Sequence, residues 1–123
     1  MIVLAPISVG ELIDKITILE LKLKFLKDEA KRENVLKEHV QLIGILDNLN
    51  LPDITGLRND LYNINQELWH IENFKRAMEE EKSFGDGFVN AARQVYLKND
   101  VRAKIKRTIN DLVGSDIVEE KSY

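Results

Sequence analysis

Ile7-Ser8-Val9-Gly10-Glu11-Leu12-Ile13-Asp14 opens the stretch that decides the fold, and no proline interrupts the chain from there to Leu51. Ser8 suits the position just before a helix, because its hydroxyl can accept the backbone N–H of Glu11. Glu11 can in turn reach back to the N–H of Ser8, which makes a capping box, and Ile7 and Leu12 occupy the two positions of a hydrophobic staple. Beyond this start, Leu12, Ile16, Leu19, Leu23, Leu26 and Ala30 recur in alternating steps of four and three, one apolar stripe along a helix. Ile18, Leu21 and Phe25 form a second stripe on the same turns. Two stripes require burial on more than one side.

Lys31-Arg32-Glu33-Asn34 is polar all round, and the apolar rhythm then resumes in a shifted phase at Leu36, Val40, Ile43 and Leu46. This pattern predicts one helix from Ser8 to about Asn48 with a phase slip or slight bend near residues 31–35. Pro52 breaks it, since a proline disfavours helix at the residue before it. A second helix runs from Asp53 or Thr55 to about Lys82, its apolar face marked by Leu57, Leu61, Ile64, Leu68, Ile71 and Met78. A short connection makes the pair an antiparallel hairpin over about 8–82. At the helical rise, residues whose numbers sum to roughly 104 then lie side by side, which brings Glu79, Glu80 and Glu81 beside Lys22 and Lys24. Residues 8–22 are left for later segments to cover. Ser83–Gly87 reads as a turn, with Asp86 capping a third helix from Gly87 to about Leu97. Asn99 and Asp100 cap a fourth helix over 101–113, which Gly114 stops. The expected architecture is all-α: a single domain over 1–123, a long antiparallel hairpin closed by two shorter C-terminal helices (about 87–113), and an extended tail over 115–123.

The composition narrows the classes of function. Eighteen cationic against 21 anionic side chains give a net charge of −3, which opposes nucleic-acid binding by the surface as a whole but leaves room for a local patch. The chain has no cysteine, which excludes a disulfide framework and thiolate chemistry and fits a reducing cytoplasm. Met1–Pro6 is apolar but has no basic leader, and no stretch approaches the roughly 20 apolar residues of a membrane span. A cytoplasmic protein without a membrane segment is expected.

Charge is concentrated between Arg93 and Arg107, where six cations meet the single anion Asp100. Arg93, Tyr96, Asn99, Asp100, Arg102 and Lys106 combine a planar cationic fork, an aromatic wall and turn amides, the components of a site for a small anionic ligand. The same residues can instead pin the last two helices together, with Lys104 and Arg107 as a solvated face and the acidic tail folded back. Asp14 extends the second stripe of the first helix. If that stripe is buried, the carboxylate needs Arg93 or Arg102 as partner; otherwise it stays in water and favours the helix dipole. Glu67 and His70 have the spacing by which bundles present ligands to paired irons, but no second such pair exists, so no metal and no cofactor are expected. A helix-turn-helix reading of the last two helices is weakened by Val101, Arg102, Ala103 and Lys104 at the start of the would-be recognition element, and nucleic acid ranks behind the other partners. Leu36, Val40, Ile43 and Leu46, with Trp69, are the candidates for an interface in a homodimer or with another protein.

Ile7–Lys22 (ISVGELIDKITILELK), Leu68–Glu72 (LWHIE), Val95–Ala103 (VYLKNDVRA) and Val118–Tyr123 (VEEKSY) together resemble a family of small helical proteins from bacteria and their phages, a domain of unknown function. The resemblance spans nearly the whole chain and implies a self-contained domain. It also implies proximity to sugar-transfer enzymes, which makes nucleotide sugars candidates, and it assigns no functional residue. Three functions are therefore expected in order: a non-enzymatic interaction or adaptor module, binding or turnover of an anionic ligand such as a nucleotide or nucleotide sugar at the Arg93–Lys106 cluster, and nucleic-acid binding.

Overall fold

Ser8 caps the first helix as its position requires, its Oγ accepting the N–H of Glu11 at 3.0 Å. The reciprocal half of the capping box is absent: the Glu11 carboxylate accepts from Lys106 Nζ at 2.6 Å instead. The computed structural model describes residues 1–123 and contains α1 (Val9–Phe25), α2 (Glu29–Asp47), α3 (Thr55–Glu80) and α4 (Asp86–Val113), with no strand.

The single helix expected over 8–48 is two helices. Leu26 leaves helical geometry for the extended region, and Asp28 starts α2 by accepting the N–H of Lys31 at 3.0 Å. Arg32 turns back and donates to the carbonyl of Leu23 and, at 3.1 Å, to that of Leu26. It thereby satisfies carbonyls that the end of α1 leaves without helical donors. The polar run Lys31–Asn34 thus lies in the first two turns of a new helix, and the phase shift marks a break rather than a bend. α2 folds back along α1, and near its far end Leu46 reaches the core cluster of Ile13, Leu61, Ile64 and Ile109.

The two C-terminal helices expected over 87–113 are one. α4 runs through Asn99 and Asp100 without interruption; these residues have low helix propensity, but packing along α3 overrides it. Asp86 lies in the first turn of α4, and Gly85 holds the cap position without a side-chain bond. Gly114 does stop the helix: its φ of 68° is left-handed, and the N–H of Ser115 reaches the carbonyl of Asn110 at 2.9 Å. Two helical hairpins result, α1–α2 and α3–α4, in which α1 packs against all three other helices.

The register of α1 on α3 also differs from the expected one. Asp14 faces Asn65, Glu20 pairs with Arg58 at 3.4 Å, and Phe25 stacks on Trp69. Glu79 pairs with Lys82 in the turn that ends its own helix, while Lys24 lies over the ring of Phe25, so the acid–base contact expected between Glu79–Glu81 and Lys22 and Lys24 is not made. No helix is long and apolar enough to cross a membrane.

α1 and α4 approach closely at Gly10, where a β-carbon would stand 2.6 Å from the Lys106 carbonyl oxygen. That oxygen belongs to helix backbone and cannot swing aside. Gly10→Ala is therefore expected to destabilise the fold by about 1–3 kcal/mol in urea unfolding. Gly56→Ala, where a β-carbon meets nothing within 4 Å, is expected to stabilise it by up to about 1 kcal/mol.

Candidate functional site

Nearly two turns after its cap, α1 carries Asp14, which is completely buried. Its carboxylate accepts from Arg102 through Nε at 2.9 Å and through Nη2, and from Asn65 Nδ2 at 2.8 Å. Asn65 Nδ2 also donates to Thr17 Oγ1 at 2.9 Å, and that hydroxyl donates to the Asp14 carbonyl at 2.8 Å. A buried carboxylate requires such partners, and α3 and α4 supply them. Of the alternatives for Asp14, the structure has Arg102, and not Arg93 or solvent.

One turn beyond Arg102 on α4, Lys106 sits among three carboxylates: Glu11 at 2.6 Å, Glu119 of the tail at 3.1 Å, and Asp14 at 3.9 Å. Ser8 Oγ donates to Glu119 at 3.3 Å. The tail forms neither helix nor strand, and it is tied back at a second point by Glu120, which pairs with Arg107 at 3.1 Å. The start of α1 is closed by the same neighbours. Val9 N–H reaches Ser115 Oγ at 3.2 Å, and Gly10 N–H reaches Asn110 Oδ1 at 2.6 Å. With the Ser8 cap, these bonds satisfy three of the N–H groups that a helix start leaves open, so this end is not free to receive a phosphate.

The electrostatics follow from these contacts. Hydrogen bonding to Asp14 raises Arg102 above the ordinary guanidinium range in spite of burial. Burial pulls the Lys106 ammonium down, but its bonds to Glu11 and Glu119 and the charge of Asp14 outweigh it, and the group is raised. Burial likewise pushes Glu119 up, and Lys106 and Ser8 more than reverse this, leaving it lowered. Two cations are surrounded by three carboxylates, so the innermost part of the network offers no net positive charge to a ligand. It joins α1, α3, α4 and the tail at one point.

Of the residues singled out in the sequence, Asp14, Arg102 and Lys106 come together here, and Asn99 lies one turn away with its Oδ1 3.5 Å from Arg102 Nη1. Arg93, Tyr96 and Asp100 lie outside the network, exposed on α4. Glu11, Asn65, Thr17 and Glu119 are members that sequence reasoning passed over. Asn65 carried a signal, because it is a polar residue set among Leu61, Ile64 and Leu68 on the buried face of α3. Among the interface candidates, Leu36 and Val40 are exposed, Ile43 is half-buried, and Leu46 packs inward. Trp69 is half-buried against Phe25, with ring centroids 5.5 Å apart. His70 meets the same phenylalanine edge-on, whereas Glu67 pairs with Lys98 at 3.3 Å. The Glu-x-x-His pair is thus engaged in two separate contacts.

The model of a family described as a family of unknown function (DUF6165) matches residues 3–123. No curated protein matches the chain, and no solved structure does.

Asp14→Ala strands Arg102 without its carboxylate, and a loss of about 3–5 kcal/mol is expected in urea unfolding. Asp14→Leu/Arg102→Leu is expected to lose less than Asp14→Ala, because no charge is left unpaired. The tail contact has a pH signature. A lowered Glu119 contributes stability above the ordinary carboxylate range and loses it as pH falls through the folded value. A raised Lys106 contributes below the ordinary ammonium range and loses it as pH rises through its own folded value. The difference in melting temperature between wild type and Glu119→Gln is therefore expected to be full near pH 7 and to shrink as pH falls below about 4.3.

Proposed function

The chain belongs to that family of unknown function, and for it we propose a non-enzymatic interaction module that assembles as a homodimer through the outer face of α2. The observation that carries this reading is an apolar face that nothing in the protomer covers. α2 packs along α1, with Leu46 meeting the core cluster near its far end. Its outward surface presents Leu36 and Val40 one turn apart, with Ile45 on the far flank beyond Lys37 and Gln41, and the arm 1–5 runs beside it with Ile2, Val3 and Leu4 exposed. Together these six side chains line a cleft of about 780 Å³. Val40 is 63% exposed and Leu4 84%. Large apolar side chains gathered around one exposed cleft mark a surface for another protein rather than for water.

Two features favour a second copy of the chain as the occupant. Gly44 lies within the last turn of α2, where glycine costs up to about 1 kcal/mol against alanine. A β-carbon there meets nothing within 4 Å, so packing within the protomer gives no reason for it. An antiparallel pairing of two α2 helices about Leu42 sets Val40 over Gly44 of the second copy and Lys37 opposite Asp47 of the second copy. Both contacts repeat across the two-fold axis, as an isologous interface requires.

Light scattering tests this. Wild type is expected at twice the monomer mass. Leu36→Asp/Val40→Asp, and separately Gly44→Leu, are expected at the monomer mass with unchanged helical circular dichroism, since all three positions face solvent in the protomer. A monomeric wild type, or variants that keep the dimer mass, would overturn the reading.

A further inference from the structure

Away from α2, Asn99 and Arg102 of α4 form a ridge between two clefts and line both. The first, about 410 Å³, lies among α1, α3 and α4. Its apolar wall is Trp69 with Ile18, Leu21 and Leu68, and Trp69 is steadied by the nearly parallel ring of Phe25. The polar groups in this cleft are mostly amides: Asn65, Asn73 and Asn99. Each amide offers both a donor and an acceptor. Asn65 is only 5% exposed, and both of its hydrogen bonds are donated by Nδ2, to Asp14 and Thr17. Its orientation is therefore fixed, and Oδ1 remains as an acceptor without a donor. The carboxylate of the cleft, Glu72, is held by Lys75 at 3.5 Å.

The second cleft, about 470 Å³, lies between α4 and the tail and is basic. Lys104 and Arg107 line it beyond the ridge. Lys104 has no carboxylate partner, and Arg107 has only the exposed Glu120 and Asp111. Such surface pairs are weak and open to exchange. Arg102 connects the two clefts. Asp14 takes its Nε and Nη2, which fixes the plane of the guanidinium, and leaves Nη1 with the long contact to Asn99 as its sole partner.

We infer that the two clefts form one site for a mononucleotide, with the base against Trp69 and among the amides, and the phosphate over the ridge on Arg102, Lys104 and Arg107. Each half requires part of that chemistry. A planar heterocycle uses both the aromatic wall and the amide edges, whereas a purely apolar ligand leaves Asn65 Oδ1 and the Asn73 amide unpaired. A bare anion fills the basic cleft and gains nothing from Trp69. Both volumes lie in the range of about 300–1,000 Å³ usual for small-molecule sites. The tail is then a competitor, since Glu120 occupies a cation that the phosphate needs.

The chain has a single tryptophan, so Trp69 fluorescence reports directly on the first cleft. Titration with adenosine 5′-monophosphate or uridine 5′-monophosphate is expected to quench it saturably. Adenosine is expected to quench with about tenfold weaker affinity, and inorganic phosphate is expected to compete with the nucleotides without quenching. Lys104→Ala/Arg107→Ala is expected to weaken the nucleotides about tenfold and leave adenosine unchanged. Asn73→Ala is expected to weaken nucleotide and nucleoside alike, and Glu120→Gln to tighten the nucleotides only. None of these positions is buried, and each variant is expected to keep the circular dichroism of the wild type. The site does not exist if neither nucleotide quenches saturably up to about 10 mM. If the lysine–arginine double variant binds adenosine 5′-monophosphate as wild type does, the clefts are not one site. Equal affinity for inorganic phosphate and nucleotide reduces the site to its charge and likewise overturns the inference.

Discussion

The carboxylate of Asp14 is the constraint on which the rest of the arrangement depends. An ionised group without solvent exposure loses several kcal/mol of hydration, and it must be met by donors at fixed distances. Those donors come from two further helices, Arg102 on α4 and Asn65 on α3. Apolar packing alone lets helices slide by a turn at modest loss. A buried charge with directional bonds does not, so the register of α3 and α4 on α1 is set at this turn. The remainder of the α1–α4 contact builds outward from it. Gly10 gives the backbones room to meet, Asn110 takes the N–H of Gly10, and Lys106 draws Glu11 and the tail carboxylate of Glu119 to the same place.

The all-helical class and the start of α1 were legible because they rest on local chemistry. Ser8 three residues before Glu11, the two apolar stripes and Pro52 all act within a turn or two. The errors lay where a distant partner decides the outcome. Lys31–Asn34 reads as a polar stretch of continuing helix until Arg32 is seen to reach back to Leu23 and Leu26. Asn99-Asp100 reads as a cap because both residues favour caps in isolation. Packing against α3 instead keeps them inside a helix of 28 residues. Splitting one helix and joining two others exchanged the expected hairpin of 8–82 for two hairpins, with α1 in contact with every other helix.

The network was half legible for the same reason. The density of cations on α4 is a property of composition and could be counted. Their partners could not, because Glu11 lies 95 residues from Lys106 and Asp14 lies 88 from Arg102. Glu11 also had a plausible local role in the capping box, which concealed the distant one. Once the carboxylates are placed, the cations divide into two kinds. Arg102 and Lys106 are committed to the fold, while Lys104 and Arg107 remain on the surface. Arg93, the first cation of the run, lies nine residues from Arg102, about 13 Å along the helix, beyond reach of either group.

This division separates what holds the protein together from what is available to a ligand or partner. Residues that form the network are poor choices for binding, because any contact with them competes with bonds that the fold needs. Arg102 is the exception, since the fork geometry of a guanidinium lets one edge serve the buried carboxylate while the other faces out. Orienting a long charged side chain ordinarily opposes binding by about 0.5–1.5 kcal/mol of lost freedom. At Arg102 that ordering has already occurred on folding, through Asp14. A group that meets its free edge therefore meets a donor already in place, and the same bond that fixes the register of α4 prepares the ridge between the clefts.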